Sequence, residues 1–430
     1  MRPARRPRRR ETGSALGQVE DEQDQQDDED DGANAYVHGL PPFDYARSSR
    51  TRTRSKRPPP GRSLLSASSE TLPLFLELAA IPSPSGEERA VAERVSAYLA
   101  DLGVRAERDD YGNLLARLEP TAPNGGVPIF LCAHLDTVPP TGPIEPVVED
   151  GVVRNSAGTI LGADNKASVA ALLEATRRLS EEGRPHAGVE LLFTLGEEVG
   201  LEGAKAFDPA SLEARLGFVF DYSGPIGRVV SAAPYARKLQ LVLKGRSAHS
   251  GIAPEEGRSA IYAAARAIAD LRLGRIDEET TTNVGKIQGG TAGNVVPDRC
   301  LVSAEARSRD AGKLADVVQE ILDSFTFAAA AVECELETTV DDDYDGYRFH
   351  RDEPVLALAR RALEGAGFEP QAVEVGGGSD ANVFNARGVP CVNIANGMAD
   401  VHTPDEHIAV SDLDALVRVT LELVAAARSV

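Results

Sequence analysis

Short, unbroken apolar runs alternate along this chain with longer stretches in which apolar residues return every three or four positions. "VPIFLCAHLD" (127–136), "GVELLFTLGEE" (188–198) and "LGFVFDYSG" (216–224) are runs of strand length, as strands buried on both faces require. "SETLPLFLELAAI", "GEERAVAERVSAYLADLG" and "NKASVAALLEATRRLSEEG" (165–183) have helical spacing, the last two closed by Gly103 and Gly183. Strand, helix, strand in this order predicts an α/β fold with a mostly parallel sheet and helices outside it.

The texture then changes. "RKLQLVLKGRSAHSG" (237–251) alternates as a half-exposed antiparallel strand does, and the helix "GRSAIYAAARAIADLRLG" follows. "TTNVGKIQGG", "CLVSAEARSR", another helix and "VECELETTV" complete a β-α-β-β-α-β order, the ferredoxin-like signature. After Asp343 the first texture resumes, with a helix near 353–367, a strand "CVNIANG" (391–397) and a C-terminal helix from Ser411. The expected division is a catalytic domain in two parts, 70–232 and 342–430, around a smaller inserted α+β domain at 233–341.

Composition adds a tail to this picture. Residues 1–69 hold thirteen Lys/Arg and eleven Asp/Glu in blocks such as "RPARRPRRR" and "EDEQDQQDDEDD". Such blocks cannot bury apolar surface, so a disordered charged N-terminal tail is expected. Residues 70–430 then carry 33 basic against 56 acidic side chains, a net charge of −23. That balance excludes nucleic acid and anionic membrane as partners of the folded part. No run of eighteen apolar residues suggests a membrane span, and no charged-then-apolar leader opens the chain. Four scattered cysteines without CxxC spacing fit a reducing, cytoplasmic setting, and Cys132 and Cys391 fit core packing.

The chemistry lies where the strands end. Ligands of open parallel sheets bind beyond the carboxyl ends of strands. There the chain places His134 and Asp136, Glu197 and Glu198, and Asp221, with Asp164 just before a helix and His402 after the last strand. Carboxylates about 4 Å apart repel by roughly 4 kcal/mol per pair at an effective dielectric near 20. Either their pKa values rise or cations sit among them. Two imidazoles with three carboxylates suit zinc, or a mixed divalent pair, better than calcium or magnesium. Adjacent residues at a strand end point apart, so of Glu197 and Glu198 one can ligate while the other serves as general base.

The segments "AHLDTV", "LGADNKAS", "TLGEEVGLEGA", "FDYSG", "GRSAHSG", "GNVVPD", "GGGSD" and "VHTPDE" resemble those of the M20 family of dinuclear zinc peptidases, in particular its tripeptidase-T-like branch. The likeness spans essentially all of 70–430. It implies two Zn2+ ions (Co2+ or Mn2+ being the other options) bridged by Asp164, with His134 and Asp221 on one and Glu198 and His402 on the other. It implies Glu197 as the base acting on a metal-bridging water, Asp136 as the partner of the far nitrogen of His134, and a cis peptide at Asp164–Asn165. The smaller domain resembles the family's lid and dimerisation domain, leaving a homodimer through it open. His249 then matches an oxyanion-stabilising histidine, Asn294 and Arg307 match residues that hold substrate carbonyl or carboxylate groups, and Gly377, Gly378 and Ser379 match a backbone wall beside the substrate. The other histidines, His38, His186, His350 and His407, match no ligand and are expected at the surface.

Aspartate at position 221 is typical of the family's aminopeptidases and dipeptidases, so a short peptide cut from its amino end is the expected substrate. True tripeptidases carry an arginine where this chain has Gly376, so an amidohydrolase or carboxypeptidase acting on N-acyl amino acids is the alternative. A binding protein that keeps the fold without the reaction would have a broken residue set, and all seven positions are intact.

Overall fold

The computed structural model describes residues 70–122 and 125–429, so the expectation for the tail, and that for His38, lie outside the described residues. Its largest sheet has nine strands, in the order Ala106–Arg108, Leu114–Leu118, Val189–Thr194, Ile129–His134, Leu216–Tyr222, Cys391–Ala395, Arg228–Ala233 and Tyr347–Arg348, with Gln371–Glu374 beside Arg228–Ala233. The four strands Val189–Thr194 to Cys391–Ala395 are parallel. The flanks are antiparallel apart from Gln371–Glu374, so the sheet is mixed where a mostly parallel one was expected. The added flanking strands are two to six residues long and each includes a charged residue, so none stands out as a continuous apolar run.

The continuous apolar runs are explained by burial on two sides. From the strand Ile129–His134, residues Ile129, Leu131 and Ala133 face one hydrophobic cluster with the helices Thr71–Ala79, Ala163–Glu181, Pro354–Gly365 and Val410–Ala427. The alternate residues Phe130 and Cys132 face a second cluster with Phe207, Phe384 and Cys391. Each fully buried large side chain contributes roughly 1.5–3 kcal/mol, and the strand has no polar face to spare. Its period-two geometry therefore forces His134, the first polar residue, to the strand's end.

Residues 235–344 form a second sheet of five antiparallel strands, Gly274–Arg275, Thr280–Gly289, Arg299–Ser308, Tyr235–Lys244 and Glu335–Tyr344 in spatial order. The expected β-α-β-β-α-β order is present, with the two-residue strand at 274–275 added. Leu239, Leu241 and Leu243 turn to the helices Ala260–Asp270 and Ala311–Val332, and the intervening Lys238 and Gln240 are exposed on the other side. A small third sheet pairs Val152–Asn155 with both Pro146–Glu149 and His407–Ala409. No helix among the described residues is long and apolar enough to cross a membrane.

Candidate metal centre and active site

Because the four central strands are parallel, their carboxyl ends open on one side, and the chemistry collects there. His134 is the last residue of its strand, Asp221 the penultimate residue of Leu216–Tyr222, and Glu197 and Glu198 follow Thr194 by one turn. Gly196 makes that turn with φ +63°, in the left-handed region glycine enters without strain. His402 itself sits at φ +65°, a conformation that costs a non-glycine residue about 1–3 kcal/mol and that clusters at functional sites. The peptide Asp164–Asn165 is cis, as the family likeness led us to expect.

The donor atoms converge. His134 Nε2 lies 3.1 Å from Asp164 Oδ1 and 3.2 Å from Asp221 Oδ1. His402 Nε2 lies 3.2 Å from Asp164 Oδ2 and 2.9 Å from Glu198 Oε1. Asp164 thus presents one oxygen to each histidine. Donor groups from His134, Asp164 and Asp221, and from Asp164, Glu198 and His402, lie within 4.8 Å of one another, and Glu197 joins His134 and Glu198 in a third such group. Tetrahedral bonds of 2.0–2.1 Å separate neighbouring ligand atoms by about 3.3 Å, so these spacings fit divalent ions held between the donors.

Electrostatics agree with the geometry. Burial would push His134 down, but Asp221, Asp136 and Asp164 around it outweigh this and raise it well above the ordinary histidine value. Bonds to Asp164 and Glu198 raise His402 to about 10. Burial favours a neutral Asp164, yet the two histidines hold it well below the usual carboxylate range. Burial lifts Asp221 to about 7 against the pull of His134. Burial, and then Asp221, raise Glu197 well above the usual value. A site that gathers protons onto its imidazoles in this way is one built to hold positive charge.

Asp136 does more than the likeness implies. His134 Nδ1 lies 3.0 Å from the Asp136 carbonyl oxygen and 3.4 Å from its carboxylate, which fixes the ring. The same carboxylate accepts the backbone N–H groups of Glu197 (2.9 Å) and Glu198 (3.1 Å) and the hydroxyl of Ser85 (2.7 Å). One buried residue therefore aligns His134 and both glutamates.

The sequence reading missed Glu406, one residue before the third sheet's strand His407–Ala409. It is 1% exposed, and its carboxylate accepts the N–H groups of Leu161 (2.7 Å), Gly162 (2.8 Å) and Asp164 (2.8 Å). It also missed the contacts of Asn165, whose amide donates to the Asp221 carboxylate (3.1 Å), and of Asn393, whose side-chain oxygen accepts the Asp221 backbone N–H (2.9 Å). Glu406 lay within the quoted "VHTPDE", but an acid in a turn carries no pattern that separates it from solvated ones.

A cavity of about 480 Å³ opens over Asp164, Glu197, Glu198, Asp221 and His402, walled by Glu374 through Gly378. Gly377 and Gly378 line it, whereas Ser379 is buried behind as the cap of the helix Asp380–Ala386. A Cβ on Gly378 would meet Tyr344 Cζ at 2.4 Å, so the wall can approach that ring only as glycine. His249, Asn294 and Arg307 are not brought to the cavity. His249 and Asn294 are exposed on the loops beside the second sheet, and Arg307 bonds Glu305 there at 3.0 Å. His186, expected at the surface, is buried at 4% exposure. Cys132 and Cys391 are buried in strands, as expected.

Residues 130–426 match the family model described as peptidase family M20/M25/M40. The chain belongs to that family. It is a hydrolase of the peptidase type, with a fold shared by aminopeptidase structures. An uncharacterised protein, YqjE of Bacillus subtilis, is 39% identical over 79% of this chain and 93% of its own length. The crystal structure of the aminopeptidase PepT from Bacillus cereus superposes with a TM-score of 0.75 at 37% identity, covering 83% of this chain and 98% of that one. A tripeptidase from Staphylococcus aureus superposes with a TM-score of 0.79 at 34% identity, covering 84% and 98%.

Proposed function

We propose that this M20 peptidase is an aminopeptidase that removes the N-terminal residue of short peptides, using two divalent ions and Glu197 as general base. The observation that carries this reading is Asp164, whose two oxygens each face one histidine, Oδ1 to His134 and Oδ2 to His402. His134 and Asp221 would hold one ion, Glu198 and His402 the other, with Asp164 between them. Zinc suits this imidazole and carboxylate set, with cobalt or manganese as substitutes. The bound ions supply positive charge that lowers the proton affinity of water near them.

Glu197 would take the proton of the attacking water and return it to the departing amine. Its burial suits that task, because a carboxylate with raised proton affinity is a stronger base near neutral pH. Asp136 would keep His134 and both glutamates in register, and Gly377 and Gly378, backed by Ser379, would flank the substrate. The aminopeptidase and tripeptidase relatives support amino-end cleavage.

We further propose residues 233–341 as a lid, between catalytic parts 70–232 and 342–430. A homodimer through it is supported by the exposed Ile252, Ile261, Tyr262 and Ile287 around its outer strand. In that assembly His249, Asn294 and Arg307 would reach substrate carbonyl groups. A cytoplasmic location is supported by four unpaired cysteines.

The test compares Ala-Ala-Ala with its N-acetyl form, using zinc-loaded protein and Glu197→Gln. Cleavage of the free-amine peptide alone, reduced at least about a hundredfold in Glu197→Gln, is the expected result. Cleavage of the acetylated substrate alone would replace the aminopeptidase by an acyl-amino-acid hydrolase.

A further inference from the structure

The wall of the cavity carries a charge arrangement that the reaction itself does not use. Among the described residues lining the cavity, five are carboxylates (Asp164, Glu197, Glu198, Asp221 and Glu374) and none is lysine or arginine. Four of the five belong to the metal centre and its base. Glu374 does not; it ends the strand Gln371–Glu374 and opens the wall that runs to Gly378.

Two arginines stand behind Glu374. Arg309 Nε is 3.1 Å from Glu374 Oε2, a charge contact without hydrogen-bond alignment. Its other nitrogens reach the carbonyl oxygens of Val375 (3.4 Å) and Glu278 (3.2 Å), and the side chain is 12% exposed. Arg348 bonds the second carboxylate oxygen, Oε1, and is half exposed. Each oxygen of Glu374 is therefore taken by one guanidinium. In front of this cluster, Gly376 and Gly377 have open space where a Cβ would stand, so substrate can come close to the wall.

A peptide bound by its amino end over the metal centre extends its carboxyl end along the cavity. A free carboxylate is read most strongly by an arginine offering two parallel N–H groups. Both arginines near this wall already have a carboxylate partner supplied by the protein. Resting on the aminopeptidase reading above, we propose that the cavity wall from Glu374 to Gly378 does not read the substrate's C-terminal carboxylate, because Glu374 occupies Arg309 and Arg348, the two guanidiniums behind that wall. The substrate class that follows is peptides with a free amino end, whatever the state of the other end: amidated, esterified or extended by further residues.

The experiment measures kcat/KM for Ala-Ala-Ala and for its C-terminal amide with zinc-loaded wild type, Glu374→Gln, and Glu374→Gln combined with Arg309→Gln. Wild type is expected to cleave both within about threefold of each other. Freeing the guanidiniums in Glu374→Gln is expected to favour the free acid by about tenfold, since one unpaired polar partner shifts discrimination by that order or more. Removing Arg309 as well should return the ratio toward wild type. A wild-type preference for the free acid above tenfold, or a ratio unmoved in Glu374→Gln, overturns the proposal. Should wild type cleave neither peptide, the aminopeptidase reading fails on its own. Calorimetric binding of the same two peptides to zinc-loaded Glu197→Ala, with and without Glu374→Gln, then decides this proposal by the same ratios.

Discussion

Loading the metal centre must displace protons, and the structure says about how many. In the metal-free protein His402, at about 10, is charged at pH 7, and so is His134, whose value is raised well above the ordinary one. Asp221, at about 7, is half protonated there. Ions bind neutral imidazole and ionised carboxylate, so filling both sites at pH 7 should release about two to three protons per chain. The combined apparent affinity should then rise by about two to three log units per pH unit around neutrality. The measurement is calorimetric titration of metal-free protein with zinc in buffers of different ionisation enthalpy. The slope of observed heat against that enthalpy counts the protons. His402→Ala should lower the count by about one. A slope below one proton would refute the assignment of both histidines as charged residents of an empty site and ligands of a filled one.

Stability of the metal-free protein should carry the opposite sign. The folded Asp221 carboxyl is raised to about 7 from a usual 3.8, so the folded state holds more protons between those values. Stability from this group is full below about 4 and is lost as pH rises through 7; thermal melts of metal-free protein should fall from pH 5 to pH 8, and a rise would contradict it. Glu406→Ala strands three buried N–H groups at about 1–3 kcal/mol each, so urea denaturation should show a loss of about 3–6 kcal/mol after partial relaxation; a loss under 1 kcal/mol would mean the loop 161–164 finds other acceptors. Gly378→Ala must displace the Tyr344 ring, a crowding that costs about 1–3 kcal/mol, and its KM for peptide should rise; an unchanged KM would remove the wall from substrate binding.

How far the sequence reaches can be judged from particular residues. His134, Asp136, Glu197, Glu198 and Asp221 were legible because each interrupts or follows an apolar run too long to have a polar face, and such a strand leaves chemistry only its end. Glu406 and the three-stranded sheet that carries it were not. Its strands are three or four residues long, and its key contact joins residues 164 and 406, a separation no periodicity encodes. The exposure of His186 was misjudged because its burial depends on neighbours distant in sequence, including Thr121. The same reasoning separates Asp136 from Glu374. Asp136 accepts N–H groups at the end of the adjacent parallel strand, so its role follows from the pairing of two strands that the apolar runs already announce. The partners of Glu374, Arg309 and Arg348, come from the end of the second sheet and from a strand edge of the first, and they meet its carboxylate only once the fold has brought them together. Reaction chemistry in this chain is thus written at strand ends, whereas selectivity is written in contacts between separate elements, and variants that change substrate choice without removing turnover should be sought at the second kind of position.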